Sequence, residues 1–161
     1  MKKILFAAIA GLWALTCLLP AAAAELPAIP PMPEKFKNIK VVKPDPSVPK
    51  DVADFSGEWE GFWKYVGPFY GGLSFGQETR RAKLIVYELS ADKIKVLYGW
   101  GESPYTGGKG GWNLFESDIR DEDGKKRFSF VGNFRMGFYL ENGTLKGSSG
   151  GNFDGEMKRV K

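Results

Sequence analysis

Histidine is absent from the 161 residues, and the single cysteine, Cys17, falls within the first two dozen. Without imidazole there is no Ser-His-Asp or Cys-His nucleophile pair, no histidine-ligated metal and no histidine pH switch. With Cys17 inside a segment that reads as a leader, the remaining chain offers no disulfide, thiolate or cysteine-metal site. An excess of one charge is also lacking. The net charge of +4 falls to +2 beyond residue 24, because the leader carries Lys2 and Lys3 and no acid. That is not the clustered basic face of a nucleic-acid binder, so no nucleic-acid partner is expected. The glycine-rich stretch 107–111 lacks the Gly-Lys-Ser/Thr ending of a phosphate loop. No metal, no cofactor and no catalytic residue is expected, and the chain reads as a non-enzyme.

What the chain does have begins with a leader. Lys2 and Lys3 precede an apolar run from Ile4 to Leu19, broken by Pro20, and Ala22 and Ala24 supply the small residues a signal peptidase needs. Cleavage is expected before Glu25, with the periplasm or the medium as destination. The apolar run, at about 16 residues, is shorter than the ~20 that span a bilayer, so no membrane span is expected after cleavage. A lipoprotein reading through Cys17 fits less well, since Thr16 stands where a small Gly, Ala or Ser is wanted.

Residues 25–50 hold seven of the ten prolines: Pro27, Pro30, Pro31, Pro33, Pro44, Pro46 and Pro49. Such a stretch favours extended polyproline conformation and reads as a semi-rigid tether. Phe36 and the pair Val41-Val42 open an alternative, in which the segment docks on something.

From Asp51 to Lys161 the composition changes. Twenty of the 21 glycines lie between Gly57 and Gly155, and no window has good helical periodicity. Short alternating runs recur instead, with turn residues between them. They are 55–63, 81–89, 93–101, 112–119, 127–131, 134–140, 144–147 and 153–160. Asp123-Gly124 and Asn142-Gly143 are tight-turn signals. Eight short strands joined by hairpins describe one antiparallel up-and-down all-β barrel, since closure removes the two exposed edges. The first run puts Phe55, Trp59 and Trp63 on one face. The sixth puts Phe134, Met136, Phe138 and Leu140 together.

Gly57-Glu58-Trp59 on the opening strand resembles the Gly-x-Trp of lipocalin-like and avidin-like, or calycin-type, barrels. The resemblance implies that Trp59 closes the barrel floor and that a basic side chain of the last strand, here Arg159, packs across it. The chain also resembles small secreted bacterial modules of no assigned chemistry. These read Gly-x-Trp-x-Gly-x-Trp, Tyr-x-Trp-Gly and Gly-Thr-Leu-x-Gly, matched by residues 57–63, 98–101 and 143–147. Fold analogy does not transfer function.

The candidate ligand-binding residues follow from placement. Trp63, Tyr98, Trp100, Phe130 and Phe138 are expected to line an interior cavity if the barrel is hollow. Loops 66–77 and 101–112 are expected to frame its mouth, with Tyr70, Tyr105, Trp112 and Lys109 as further contacts. Tyr and Trp suit such a site because they pair apolar area with a polar tip. The expected partner is a small apolar or aromatic-compatible ligand. A filled interior with exposed aromatics would instead favour an envelope-associated protein partner, as an interaction, accessory or inhibitor module. Glu58 and Glu60, ~7 Å apart on one outer face, have the spacing of a glycosidase pair but read as solvated surface. Asp118, Asp121, Glu122 and Asp123 read as a charged hairpin rather than a calcium site.

Overall fold

The computed structural model describes residues 25–66, 79–103, 107–132, 134–150 and 152–160. The leader with Cys17, most of loop 66–77 with Tyr70, and Tyr105 lie outside the described residues. Eight strands close into an antiparallel barrel in which each pairs with its sequence neighbours and the last returns to the first. They are β1 Gly57–Tyr65, β2 Thr79–Leu89, β3 Lys93–Trp100, β4 Gly111–Glu122, β5 Lys125–Val131, β6 Arg135–Glu141, β7 Thr144–Ser149 and β8 Phe153–Arg159. Two hairpins turn where the sequence demands positive φ. Asp123 and Gly124 lie at φ 55° and 74°, and Asn142 and Gly143 at 50° and 74°, the conformation of a two-residue type I′ turn.

Alternation places the core. Trp59, Leu84, Val96, Phe128, Phe138, Leu145 and Met157 are all buried, each from an inward position of its strand. The floor is closed by a short helix, Lys50–Ala53, and the residues after it. Val52 and Phe55 are fully buried, and the Phe55 ring meets Phe128 edge-on at 5.3 Å. Trp59 Nε1 donates to Phe55 O at 2.9 Å, and the Arg159 guanidinium lies 4.3 Å from the Trp59 ring centroid. Arg159 also donates to the carbonyls of Asp54 and Ser56. Gly57 makes this possible twice over. Its φ of +118° suits glycine, and a Cβ there would stand 2.6 Å from the guanidinium. This is the arrangement that the lipocalin pattern implies for a Gly-x-Trp strand.

Residues 25–50 do not extend away as a tether. Residues 25–42 run down the outer wall of β2, β3 and β4 as a strap. Phe36, in a 3₁₀ turn spanning Glu34–Phe36, is buried against Ile85 and Leu97, with Met32, Ile39, Tyr87 and Trp112 around it. Two apolar residues facing outward on adjacent strands would otherwise be wet, and covering them is the physical reason for docking. A β-bulge at Tyr87 helps: the ladder to β3 slips between Val86 and Glu88, and the freed Tyr87 carbonyl accepts the Val42 N–H at 2.7 Å. Val41 and Val42 themselves stay exposed, so Phe36 is the anchor. Phe134 also differs from expectation. It sits in the turn before β6, exposed, with its ring stacked on Phe153.

Candidate functional site

The barrel is filled through most of its height. The Trp63 ring occupies space vacated by two glycines, since Cβ atoms on Gly147 and Gly155 would lie 2.6 and 3.1 Å from it. Trp63 packs edge-on against Phe138 at 5.6 Å, and Phe138 stacks on Phe128 and Phe130. Trp63 Nε1 donates to the Tyr98 hydroxyl at 2.8 Å. Burial pushes the Tyr98 phenol far above the ordinary tyrosine range, with the Trp63 hydrogen bond pulling weakly the other way. Three of the five expected cavity residues, Trp63, Phe130 and Phe138, are therefore packed into the core.

The filling stops on one side. β3 and β4 pair along their whole length, from Lys93↔Asp118 to Trp100↔Gly111. β4 and β5 pair only from Ile119↔Phe128 to Glu122↔Lys125, although both strands continue past that point. Above it the ladder opens, and one side chain takes over. The Ser117 hydroxyl donates to Ser129 O at 2.7 Å and accepts from Ser129 N at 3.2 Å. β4 accordingly is the one strand of the eight with no buried residue.

A hollow of about 260 Å³ lies at the top of this seam. Asn113 and Phe115 of β4 form one lip, and Val131 with Gly132 after β5 forms the other. Tyr98, Trp100 and Met136 stand behind them. The Phe115 ring stacks on Phe130 at 4.2 Å, and Tyr98 on Trp100 at 5.7 Å. The hollow faces sideways, between β4 and β5.

Tyr98 and Trp100 are thus the two expected residues that the structure brings to the hollow. Trp112 is not there. It pairs with Gly99, one step out of phase with Trp100, so it faces outward. Its ring covers Gly99 and its Nε1 donates to Pro30 O of the strap at 2.7 Å. Being at the same strand ends placed both rings at one height, but alternation put them on opposite faces. The Lys109 carbonyl accepts the Trp100 Nε1–H at 3.1 Å, while Lys109 is exposed and does not line the hollow. The described part of loop 101–110 is a tight return. Gly107 N donates to Ser103 O and Ser103 N to Gly108 O, and the strap crosses close over Gly101 and Gly110.

Asn113, Phe115, Val131 and Gly132 were not singled out from sequence, and Met136 was placed only on the apolar face of its run. A signal for two of them exists: the inward positions of β4 are Asn113, Phe115, Ser117 and Ile119, and two polar residues among four mark a strand that is not packed into a core.

The outer carboxylates have a structural role. Lys83 Nζ lies 2.8 Å from Glu58 and 2.7 Å from Glu60. Partial burial opposes the Lys83 charge, but the two carboxylates outweigh it and hold its ammonium above the usual lysine range. The acidic hairpin is likewise engaged. Asp121 accepts from Lys126 and from the Gly124 N–H, and the Lys126 bond draws its carboxyl below the usual range. No cluster of three or more metal-ligating side chains occurs among the described residues, and no described helix is long and apolar enough to cross a membrane.

No protein-family model matches the chain, and no curated protein does. Among solved structures, a point mutant of the fluorescent protein UnaG matches with a TM-score of 0.38 and 14% identity, over 67% of this chain and 97% of that one. At that distance the likeness says nothing about the site.

Proposed function

We propose that this protein is a secreted, non-catalytic binding module that takes a small apolar or aromatic ligand in the lateral hollow between β4 and β5. One observation carries the reading: above a core of packed aromatic rings, about 260 Å³ is left open, walled by Tyr98, Trp100, Phe115 and Met136. Such a lining suits a flat apolar body, and Asn113 adds a polar group that fixes orientation. The volume sits just below the ~300 Å³ lower range of drug-sized pockets, so one or two rings is the appropriate size. Secretion rests on the leader, with Glu25 as the mature N-terminus, and mass spectrometry of the exported protein reads that end directly.

The test uses N-phenyl-1-naphthylamine, a neutral dye that brightens in apolar surroundings. It should bind the full-length protein, and Asn113→Trp, which fills the hollow from an exposed position, should abolish the signal without shifting the melting temperature. Dye binding that survives Asn113→Trp, or no binding at all, overturns the reading. A second reading then takes its place, as an envelope-associated interaction module. It is favoured by the filled lower barrel together with Phe62, 41% exposed on the outer wall, and Phe134 at the rim.

A further inference from the structure

The outer lip of the hollow is charged. Val131, which lines the hollow, pairs in register with Arg135. Same-face cross-strand neighbours stand ~5 Å apart at Cβ, so Arg135 stands beside the outer lip. Immediately below, outside the Ser117–Ser129 bridge, a cleft of about 390 Å³ continues along the open seam. It is lined by Lys93, Arg120 and Arg135 against two acids, Glu116 and Asp118. Glu116 lies 3.5 Å from Lys93. Arg120 and Arg135 have no ion-pair partner among the described residues. Asp118, equally unpaired among the described residues, offsets one of them, which leaves the residues lining the cleft with one positive charge in excess. Across the ladder from Arg120 stands Arg127, whose own charge is met by Glu122 at 3.7 Å.

We infer that the seam takes an amphipathic monoanion, with its apolar body in the hollow and its acidic group at the outer lip against Arg135. This rests on the ligand-binding reading of the hollow and adds the chemical class. The apolar part is selected by Phe115, Trp100 and Met136 inside the wall. The acid never enters the core, where an ion would be costly to desolvate. It stays at the surface, where the guanidinium offers charge-assisted hydrogen bonds. Arg135 is therefore a specificity-determining residue, and Arg120, farther along the cleft, adds a weaker attraction.

Two dyes that share one aromatic skeleton separate these claims: 8-anilinonaphthalene-1-sulfonate carries a sulfonate, and N-phenyl-1-naphthylamine does not. Arg135→Gln should weaken the sulfonate about five- to tenfold, the scale of a partly exposed charge-assisted bond, and leave the neutral dye unchanged. Arg120→Gln should weaken the sulfonate about twofold by longer-range attraction. Arg81→Gln, on the opposite outer wall, should change neither dye. Because Arg135 is exposed, its variant should melt as the parent does. If Arg135→Gln leaves sulfonate affinity intact, or weakens both dyes alike, the inference falls while hollow binding stands. If neither dye binds the parent protein, both fall together.

Discussion

The two flanks of β4 differ. Toward β3 the ladder is complete and the outer face is roofed by the strap through Phe36 and Trp112. Toward β5 the ladder stops at Ile119, a serine hydroxyl stands in for backbone pairing, and a hollow remains. The residues explain the contrast. On the β3 side Ile85 and Leu97 face outward and gain by being covered. On the β5 side the inward Asn113 and Ser117 have little to gain from a core. A barrel wall is finished where apolar side chains make finishing it favourable, and left open where they do not.

That contrast ranks the effects of substitution. Trp59→Ala, in the finished floor, should lower stability by about 3–5 kcal/mol, the usual range for truncating a buried aromatic. Chemical denaturation checks it, and an unchanged midpoint would remove Trp59 from the floor. Phe36→Ala should lower stability by about 3 kcal/mol, at the low end of the same range, because the strap can undock before more is lost. Limited proteolysis should then cut within residues 25–50 while the barrel persists. Ser117→Ala should lower stability by only about 1–2 kcal/mol, from two lost hydrogen bonds at a partly buried site. Amide exchange should rise at Ser129 and Val131 and nowhere on β2. A loss as large as that of Trp59→Ala would show the seam to be part of the closed wall.

The smallest effect at neutral pH lies with ionisation. Tyr98 stays neutral in the folded barrel at pH values where the unfolded chain ionises, because burial raises its pKa. Its stabilising share is whole below about pH 10 and is lost as pH climbs beyond that. Tyr98→Phe should flatten the alkaline limb of the stability profile. An alkaline limb identical in both proteins would place the Tyr98 hydroxyl in contact with water.

Most of the barrel was legible in the sequence because alternation and turn chemistry are local. The eight runs coincide with the eight strands to within a few residues, and Gly124 and Asn142-Gly143 stand in the turns they signal. The site was less legible because it depends on which partner each strand reaches. Trp112 lies on the expected strand but one step out of phase with Trp100, a matter of register that loop geometry decides. The opening between β4 and β5 is marked in β4 only by the inward Asn113 and Ser117, and where the ladder stops depends on the partner strand. The strap was half visible: Phe36 was singled out, but its site is assembled from Ile85, Leu97 and Trp112, which are far along the chain.

That last separation bears on the order of events as the protein is made. The strap leaves the ribosome long before the wall it rests on, and Trp112 must emerge before Pro30 has its hydrogen-bond donor. For that interval Met32, Phe36 and Ile39 are apolar residues with nothing to cover. The prolines around them then act as guardians of a waiting segment. Pro30, Pro31 and Pro33 have no N–H to give, so the segment cannot be drawn into a stray strand pairing with a neighbour. A segment made before its wall is kept idle until the wall is there.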